Sequence, residues 1–224
     1  FPSRVRLDLS LLSVVPTGVD GSSVMRDKYF AGELSPEEFV YSYSVMIFSY
    51  YFAKTALWSD DYLVLSPGSR STPFLLAFLE HGGFRVHDFI DERVAAFFAL
   101  GQARVLGRPS LLVCTSGSAG AHYFPAVIEA EQAGVPLLVL TTDRPPELQR
   151  CGAAQTIDQL KLFGDHVRAF FELGTADVSE GSLRALRRVG AQAVLLAMAG
   201  PPGPVHLNAR LRKPLEPVAP STAA

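Results

Sequence analysis

From residue 62 onward, the chain alternates short apolar runs with longer segments in which apolar side chains recur every three or four positions. Apolar runs without polar alternation are typical of parallel strands buried on both faces, and the longer segments indicate helices. The predicted strands are residues 62–66, 84–90, 110–115, 135–141, 167–173 and 205–207. This pattern predicts the α/β class, with an open parallel sheet of about six strands and helices on both faces.

Helices are predicted between these strands, because capping residues and glycines bound the periodic segments. Their ranges are approximately 73–82, 92–107, 117–134, 156–163 and 182–198. Since strands and helices alternate along the chain, the connections between neighbouring strands are crossovers, as a parallel sheet requires.

The pattern also predicts how the chain is divided. We expect an amino-terminal arm or linker over residues 1–35, one α/β domain over residues 36–210 and a linker or tail over residues 211–224. Residues 39–58 place large apolar groups at helical spacing, but serines and Lys54 interrupt the run. A membrane span needs about 20 predominantly apolar residues, so we expect a packed amphipathic helix here, in the core or at a subunit contact, and no membrane span.

Composition excludes several classes of protein. Lys and Arg number 20 against 22 Asp and Glu, so the basic excess of a dedicated nucleic-acid binder is missing. Cys114 and Cys151 lie far apart, which argues against a disulfide scaffold or a cysteine-rich zinc site and favours a reducing compartment. The five histidines show no metal-ligand spacing, and we expect no metal site within this chain.

Three predicted strands are followed by loops that could carry chemistry. Ligands bind such sheets at the carboxyl ends of the strands. Residues 67–73 combine a glycine, hydroxyls and Arg70 at a helix N-terminus, which suits a carboxylate or phosphate, although a capped turn with a solvated arginine is an equal alternative. After the second strand, Asp91 can cap a helix and Glu92 lies in its first turn. Simple compensation of the helix dipole is the alternative for both carboxylates.

The third loop, residues 114–120, is rich in small residues and hydroxyls, so its backbone can approach a cofactor closely. It matches neither the dinucleotide fingerprint nor the phosphate loop, which leaves a nucleotide-dependent oxidoreductase poorly supported. Cys114 ends an apolar strand and is therefore expected to be a buried, inert thiol.

Several short motifs occur together and in a fixed order along the chain. They are SPGSRSTP (66–73), DER (91–93), CTSGSA (114–119), YFPAVIEA (123–130), LTTDRPPEL (140–148), CGAAQ (151–155) and GPVHLN (203–208). In this combination they resemble SEPHCHC synthases, the thiamine-diphosphate-dependent enzymes that make 2-succinyl-5-enolpyruvyl-6-hydroxy-3-cyclohexene-1-carboxylate in menaquinone and phylloquinone biosynthesis. The region that resembles them is the amino-terminal, pyrimidine-binding domain.

The resemblance implies roles for individual residues. Glu92 matches the glutamate that hydrogen-bonds the pyrimidine ring nitrogen and works as an acid/base relay, so it is the expected catalytic and cofactor-binding residue. The loop of Thr115, Ser116 and Gly117 is expected to contact the cofactor. The expected substrate-binding residues are Ser69, Arg70 and Gln155.

The resemblance also implies an activity and partners. Such enzymes condense decarboxylated 2-oxoglutarate with isochorismate and bind the diphosphate with Mg²⁺ (or Mn²⁺) mainly through a second domain. That domain carries a Gly-Asp-Gly signature, which this sequence lacks, so we expect this chain alone to be inactive. Its expected partner is the diphosphate-binding domain of the same or another subunit, in a homo-oligomer when complete. Because the sequence begins with Phe1, a processed product or a piece of a longer chain is expected.

Two expectations about context remain open at this stage. The protein would be cytoplasmic in a bacterium, or in a plastid or other organelle if a targeting segment has been removed. A different class of function is also open, a non-catalytic structural or assembly subunit derived from the same domain. The missing second domain favours that subunit, whereas retention of Glu92, Ser69, Arg70 and Gln155 favours the enzyme.

Overall fold

The computed structural model describes residues 61–81, 84–176, 179–213 and 215. The predicted arm (1–35), the predicted helix over residues 39–58 and most of the predicted tail (211–224) lie outside the described residues, so the domain boundaries remain predictions. The described strands are β1 (Asp61–Leu65), β2 (Phe84–Asp88), β3 (Ser110–Cys114), β4 (Leu137–Asp143), β5 (Ala169–Thr175) and β6 (Pro204–Arg210). The described α-helices are α1 (Thr72–His81), α2 (Glu92–Leu106), α3 (Phe124–Ala133) and α4 (Glu180–Met198).

All the strand pairs in the described sheet are parallel. The strand order is β2-β1-β3-β4-β6-β5. This confirms the predicted open α/β sheet of six strands. Because the strands are parallel, their carboxyl ends and the loops that follow them lie along a single edge of the sheet.

The sheet separates two apolar cores, since successive side chains of a strand point to opposite faces. Leu63 and Leu65 of β1 pack on one face with Phe74 and Phe78 of α1. Val64 packs on the other face, in a core that includes α2 and α3. The strands therefore need apolar residues at consecutive positions, which explains the unbroken runs in the sequence.

Helix α2 begins and ends as its sequence predicts. The Asp91 side chain accepts a hydrogen bond from the Arg93 backbone N–H at 2.9 Å and caps the helix. Gly107 follows the last helical residue with φ 65°, the left-handed conformation in which glycine has no side-chain penalty. Alanines at positions 95, 96, 99 and 103 face the sheet. Their small side chains allow the helix to pack closely against it.

The predicted helix over residues 156–163 is wrong. This segment consists of turns and irregular backbone, with left-handed φ angles of 54° at Gln155 and 52° at Lys161. The apolar spacing in the segment reflects burial only in part, since Phe163 is fully buried but Leu160 is 47% exposed. However, the buried side chain of Gln159 bonds to three groups that are distant in sequence, one in the loop after β3 and one each in β4 and β6, and these contacts outweigh the local preference for a helix.

Among the described residues, no helix is both long enough and apolar enough to cross a membrane.

Candidate functional site

The loops after β1 and β3 meet at the carboxyl edge of the sheet. A Cβ atom at position 68 would lie 2.4 Å from the Cβ atom of Thr115, which is closer than two non-bonded carbon atoms can approach. Glycine at position 68 is therefore required for close packing of the two loops. The structure thus brings the predicted substrate loop next to Thr115, the first residue of the predicted cofactor loop.

Glu92 stands at the first position of α2, next to the capping residue. Asp91 caps the helix and also binds the Arg93 guanidinium, whose hydrogen bonds hold the pKa of the Asp91 carboxyl well below its ordinary value. Both local tasks, capping and pairing with arginine, therefore fall to Asp91. Among the described residues, the half-buried carboxylate of Glu92 has no hydrogen-bond partner and is available to a ligand.

The buried, uncharged side chains of Tyr123 and Cys114 form a wall of the site near Glu92. The Tyr123 hydroxyl donates a hydrogen bond to the Val113 carbonyl oxygen at 3.0 Å and lies 3.3 Å from the Ser66 hydroxyl oxygen. Burial raises the pKa of both the Tyr123 hydroxyl and the Cys114 thiol, and the nearby negative charge of Glu92 adds to both shifts. The expected burial of Cys114 is confirmed, and the raised pKa agrees with the prediction that its thiol is inert.

The predicted cofactor loop is buried and tied to Gln155. Thr115, Ser116 and Gly117 are all buried, and Gly117 has φ 86°. The Ser116 hydroxyl donates to the Gln155 carbonyl oxygen at 3.2 Å, and the Gln155 side-chain amide donates back to the Ser116 carbonyl oxygen at 3.1 Å. A predicted cofactor-binding residue and a predicted substrate-binding residue, 39 positions apart in sequence, are therefore in direct contact.

The two predicted substrate-binding residues of the β1 loop point to different surroundings. Ser69 is exposed, whereas Arg70 is 3% exposed and donates a hydrogen bond to the Leu211 carbonyl oxygen. Arg70 therefore lies beneath the loop and joins it to the end of β6. The alternative of a simple capped turn with a solvated arginine is therefore not what the structure shows.

Gln159 is a site residue that the sequence analysis missed. Its side-chain oxygen accepts a hydrogen bond from the Gly117 backbone N–H at 2.8 Å. Its side-chain NH₂ donates to the Thr142 carbonyl oxygen at 3.2 Å and to the Asn208 side-chain oxygen at 3.0 Å. The sequence offers no distinct signal for this role, because Gln159 is one of several polar residues in a segment predicted to be a helix.

The network continues from Asn208 to two carboxylates. The Asn208 NH₂ group donates to Asp143 Oδ2 at 3.1 Å and to Glu172 Oε2 at 2.9 Å. Arg210 forms ion pairs with both carboxylates, at 3.5 Å to Asp143 and 3.2 Å to Glu172. Polar contacts thus connect the loop after β3 with residues of β4, β6 and β5.

His206 lies deeper, under this network. Its Nε2 is 2.8 Å from the Thr141 hydroxyl oxygen, and its ring lies between Phe163 and Phe170. Burial lowers the pKa of His206 to about 3, so the imidazole is neutral near pH 7. Because the Thr141 hydroxyl donates to Asn208 at 2.8 Å, the hydrogen between Thr141 and His206 comes from Nε2.

No cluster of three or more His, Cys, Asp or Glu side chains that could hold a metal ion occurs in the described part of the chain.

Comparison with known proteins identifies the domain. Residues 56–162 match the family described as thiamine pyrophosphate enzyme, N-terminal TPP binding domain. By this match, residues 56–162 resemble the N-terminal domain of thiamine pyrophosphate enzymes. The family assignment agrees with the parallel six-stranded sheet and with the resemblance noted in the sequence.

Three similar proteins are each named 2-succinyl-5-enolpyruvyl-6-hydroxy-3-cyclohexene-1-carboxylate synthase, or SEPHCHC synthase. The protein from Sorangium cellulosum is 64% identical over 156 residues, that from Haloarcula marismortui 57% over 157 and that from Synechococcus elongatus 52% over 157. Each match covers 70% of this chain but only 25%, 26% and 27% of the respective relative. The chain therefore spans about a quarter of the length of these relatives and corresponds to their thiamine pyrophosphate enzyme N-terminal domain.

Proposed function

We propose that this thiamine pyrophosphate enzyme domain is the pyrimidine-binding part of a SEPHCHC synthase, which condenses decarboxylated 2-oxoglutarate with isochorismate. The observation that carries the proposal is the half-buried carboxylate of Glu92. It lies at the start of α2 without a hydrogen-bond partner among the described residues, because Asp91 provides both the cap and the partner for Arg93.

The residues at this edge fit the pyrimidine ring of thiamine diphosphate. The ring nitrogen is itself a hydrogen-bond acceptor, so it needs a carboxyl group that shares a proton with it in a mostly apolar setting, and Glu92 near the buried Cys114 and Tyr123 side chains has that chemistry. When bound, the cofactor supplies the carbon nucleophile that attacks the 2-oxo acid. Glu92 holds and moves a proton at the ring nitrogen, and the uncharged wall limits its exchange with water.

Each remaining predicted site residue has a task in this proposal. The buried loop of Thr115, Ser116 and Gly117 contacts the cofactor. Ser69 and Gln155, which are exposed at the same edge, bind substrate. Arg70 contributes positive charge beneath the β1 loop, which favours a substrate carboxylate above it.

The proposal includes a partner domain. A diphosphate-binding domain, in the same or another subunit of a homo-oligomer, holds the diphosphate with Mg²⁺ or Mn²⁺. Helix α2 and Ile90, two residues before it, expose apolar side chains that such a domain could cover: Ile90 (91% exposed), Val94 (52%), Phe97 (48%) and Val105 (86%). Without that domain the chain holds only the pyrimidine-binding half of the active site and is inactive. In a bacterial source we propose a cytoplasmic location.

A chimera tests this function. The matching region of the Sorangium cellulosum relative is replaced by this chain's own residues, and product formation is measured with 2-oxoglutarate, isochorismate, thiamine diphosphate and Mg²⁺. We expect turnover, and we expect Glu92→Gln to lower it by at least about 10²-fold, since the proton relay is lost.

Glu129→Gln is the matched control, because Glu129 is an exposed carboxylate on α3. This variant should retain turnover. A folded, cofactor-saturated chimera that makes no product would refute the enzyme and favour the non-catalytic subunit, which is otherwise not favoured. Equal turnover of Glu92→Gln and the parent chimera would refute the role of Glu92.

A further inference from the structure

We propose that Gln159 is a positioning residue that holds the cofactor loop, and that Asp143 and Glu172 set its orientation through Asn208. This inference rests on the proposed function for its meaning in catalysis. Its structural part rests on the buried network alone and can be tested separately.

The first step is the fixed orientation of Asn208. Asp143 and Glu172 pair with Arg210 and act as acceptors, so the group facing them must be the Asn208 NH₂, at 3.1 and 2.9 Å. The amide oxygen of Asn208 must then point away from the carboxylates. There it receives hydrogen bonds from the Thr141 hydroxyl and from Gln159.

The second step is the orientation of Gln159. With the Asn208 oxygen and the Thr142 carbonyl oxygen both in front of it, Gln159 must present its NH₂ group to them. Its oxygen is consequently directed toward the Gly117 backbone N–H, which it accepts at 2.8 Å. A flipped amide would place acceptor against acceptor and donor against donor along the whole chain of contacts.

The third step links Gln159 to the predicted site. Gly117 is a buried residue with φ 86°, and a Cβ atom at this position would lie 2.9 Å from the Gln155 side chain. The hydrogen bond from Gly117 to Gln159 therefore holds a loop conformation that also fixes the contact between Ser116 and Gln155. A side chain that touches neither cofactor nor substrate can thus position residues proposed to bind both.

The test is amide hydrogen exchange at Gly117 in the full 224-residue chain, in Gln159→Leu and in Asn208→Asp. We expect exchange at Gly117 to accelerate about tenfold in Gln159→Leu, since the buried hydrogen bond that holds this N–H is lost. Asn208→Asp should accelerate it as well, because a carboxylate at position 208 places an acceptor against Asp143 and Glu172 and disturbs Gln159.

Gln102→Leu is the matched control. Gln102 also accepts one side-chain hydrogen bond, from Ser110 at 3.0 Å, but at the opposite edge of the sheet. It should leave exchange at Gly117 unchanged. Unchanged exchange at Gly117 in Gln159→Leu would refute the proposal that Gln159 holds the cofactor loop. If exchange at Gly117 accelerates in Gln159→Leu but is unchanged in Asn208→Asp, the orienting role of Asp143 and Glu172 is refuted. An equal acceleration of all amides in both variants would also refute it.

The chimera supplies a second readout. If the loop binds cofactor or substrate, Gln159→Leu should raise the cofactor Kd or the substrate KM several-fold more than it lowers kcat, whereas a loss of folded protein would lower only the apparent kcat. Equal effects on KM and on kcat would overturn the catalytic meaning of the positioning. A chimera without turnover refutes the proposed function, while the exchange measurement on the chain still decides the structural inference.

Discussion

Acidification should destabilise the domain through His206. The pKa of this buried imidazole is about 3 in the folded domain, against 6.5 for an ordinary histidine, and burial is the cause. Below pH 6.5 the unfolded chain takes up a proton at His206, whereas the folded domain does not until about pH 3. The stability that the neutral imidazole contributes is therefore fully present above pH 6.5 and is lost as the pH falls toward 3.

The magnitude follows from the two pKa values. Each pH unit within this window removes about 1.4 kcal/mol from the free energy of unfolding, so a fall from pH 7 to pH 5 costs about 2 kcal/mol for this one group. Carboxylates elsewhere also titrate at acidic pH, and a single pH profile would mix their contributions with that of His206.

A His206→Gln variant isolates the contribution. Glutamine retains a donor for the Thr141 hydroxyl oxygen but does not titrate. Urea unfolding followed by circular dichroism at pH 7, 6 and 5 gives the free energy of unfolding of both proteins. We expect the parent chain to lose about 2 kcal/mol more than the variant between pH 7 and pH 5. Parallel pH profiles would refute the argument that His206 is buried in its neutral form.

Two further predictions concern packing and thiol reactivity at the same edge. Gly68→Ala should lower the free energy of unfolding by about 1–3 kcal/mol, because the new Cβ atom overlaps Thr115. Gly101→Ala is the control, since in the described part of the chain no atom outside its own helix backbone lies within 4 Å of the added Cβ and alanine favours a helix, so urea unfolding should show unchanged or higher stability. A stability loss of equal size in both variants would contradict this reasoning. Iodoacetamide should label the exposed Cys151 quickly and Cys114 only after unfolding, because Cys114 is buried and burial raises its pKa, and mass spectrometry of the peptides distinguishes the two. Rapid labelling of Cys114 in the folded chain would contradict the buried position.

The strands and helices could be predicted because the sequence patterns that specify them are local. Strands buried on both faces must be apolar at consecutive positions, as residues 111–114 and 137–140 are, and a short apolar run of this kind stands out in the sequence. Likewise, Asp91 and Gly107 mark the ends of α2 through backbone geometry that involves only neighbouring residues. The position of Glu92 in the first turn of that helix follows directly.

The contacts that hold the site together could not be predicted in the same way. Gln159 bonds to groups that are 17, 42 and 49 residues away in sequence, and each of these bonds exists only once the strands have been placed side by side. The same holds for Arg70 and Leu211, which are 141 residues apart. Local apolar spacing therefore suggested a helix where the folded chain has an irregular segment.

The sequence by itself determined the parallel α/β sheet, the loops at its carboxyl edge and the candidate residues Glu92, Ser69, Arg70 and Gln155. Only the tertiary structure decided that Arg70 is buried against the Leu211 carbonyl oxygen and that Gln159 accepts a hydrogen bond from the Gly117 loop. The physical reason is that apolar burial and helix capping act between near neighbours. A buried polar group must instead find its partner wherever the fold brings one within hydrogen-bond distance.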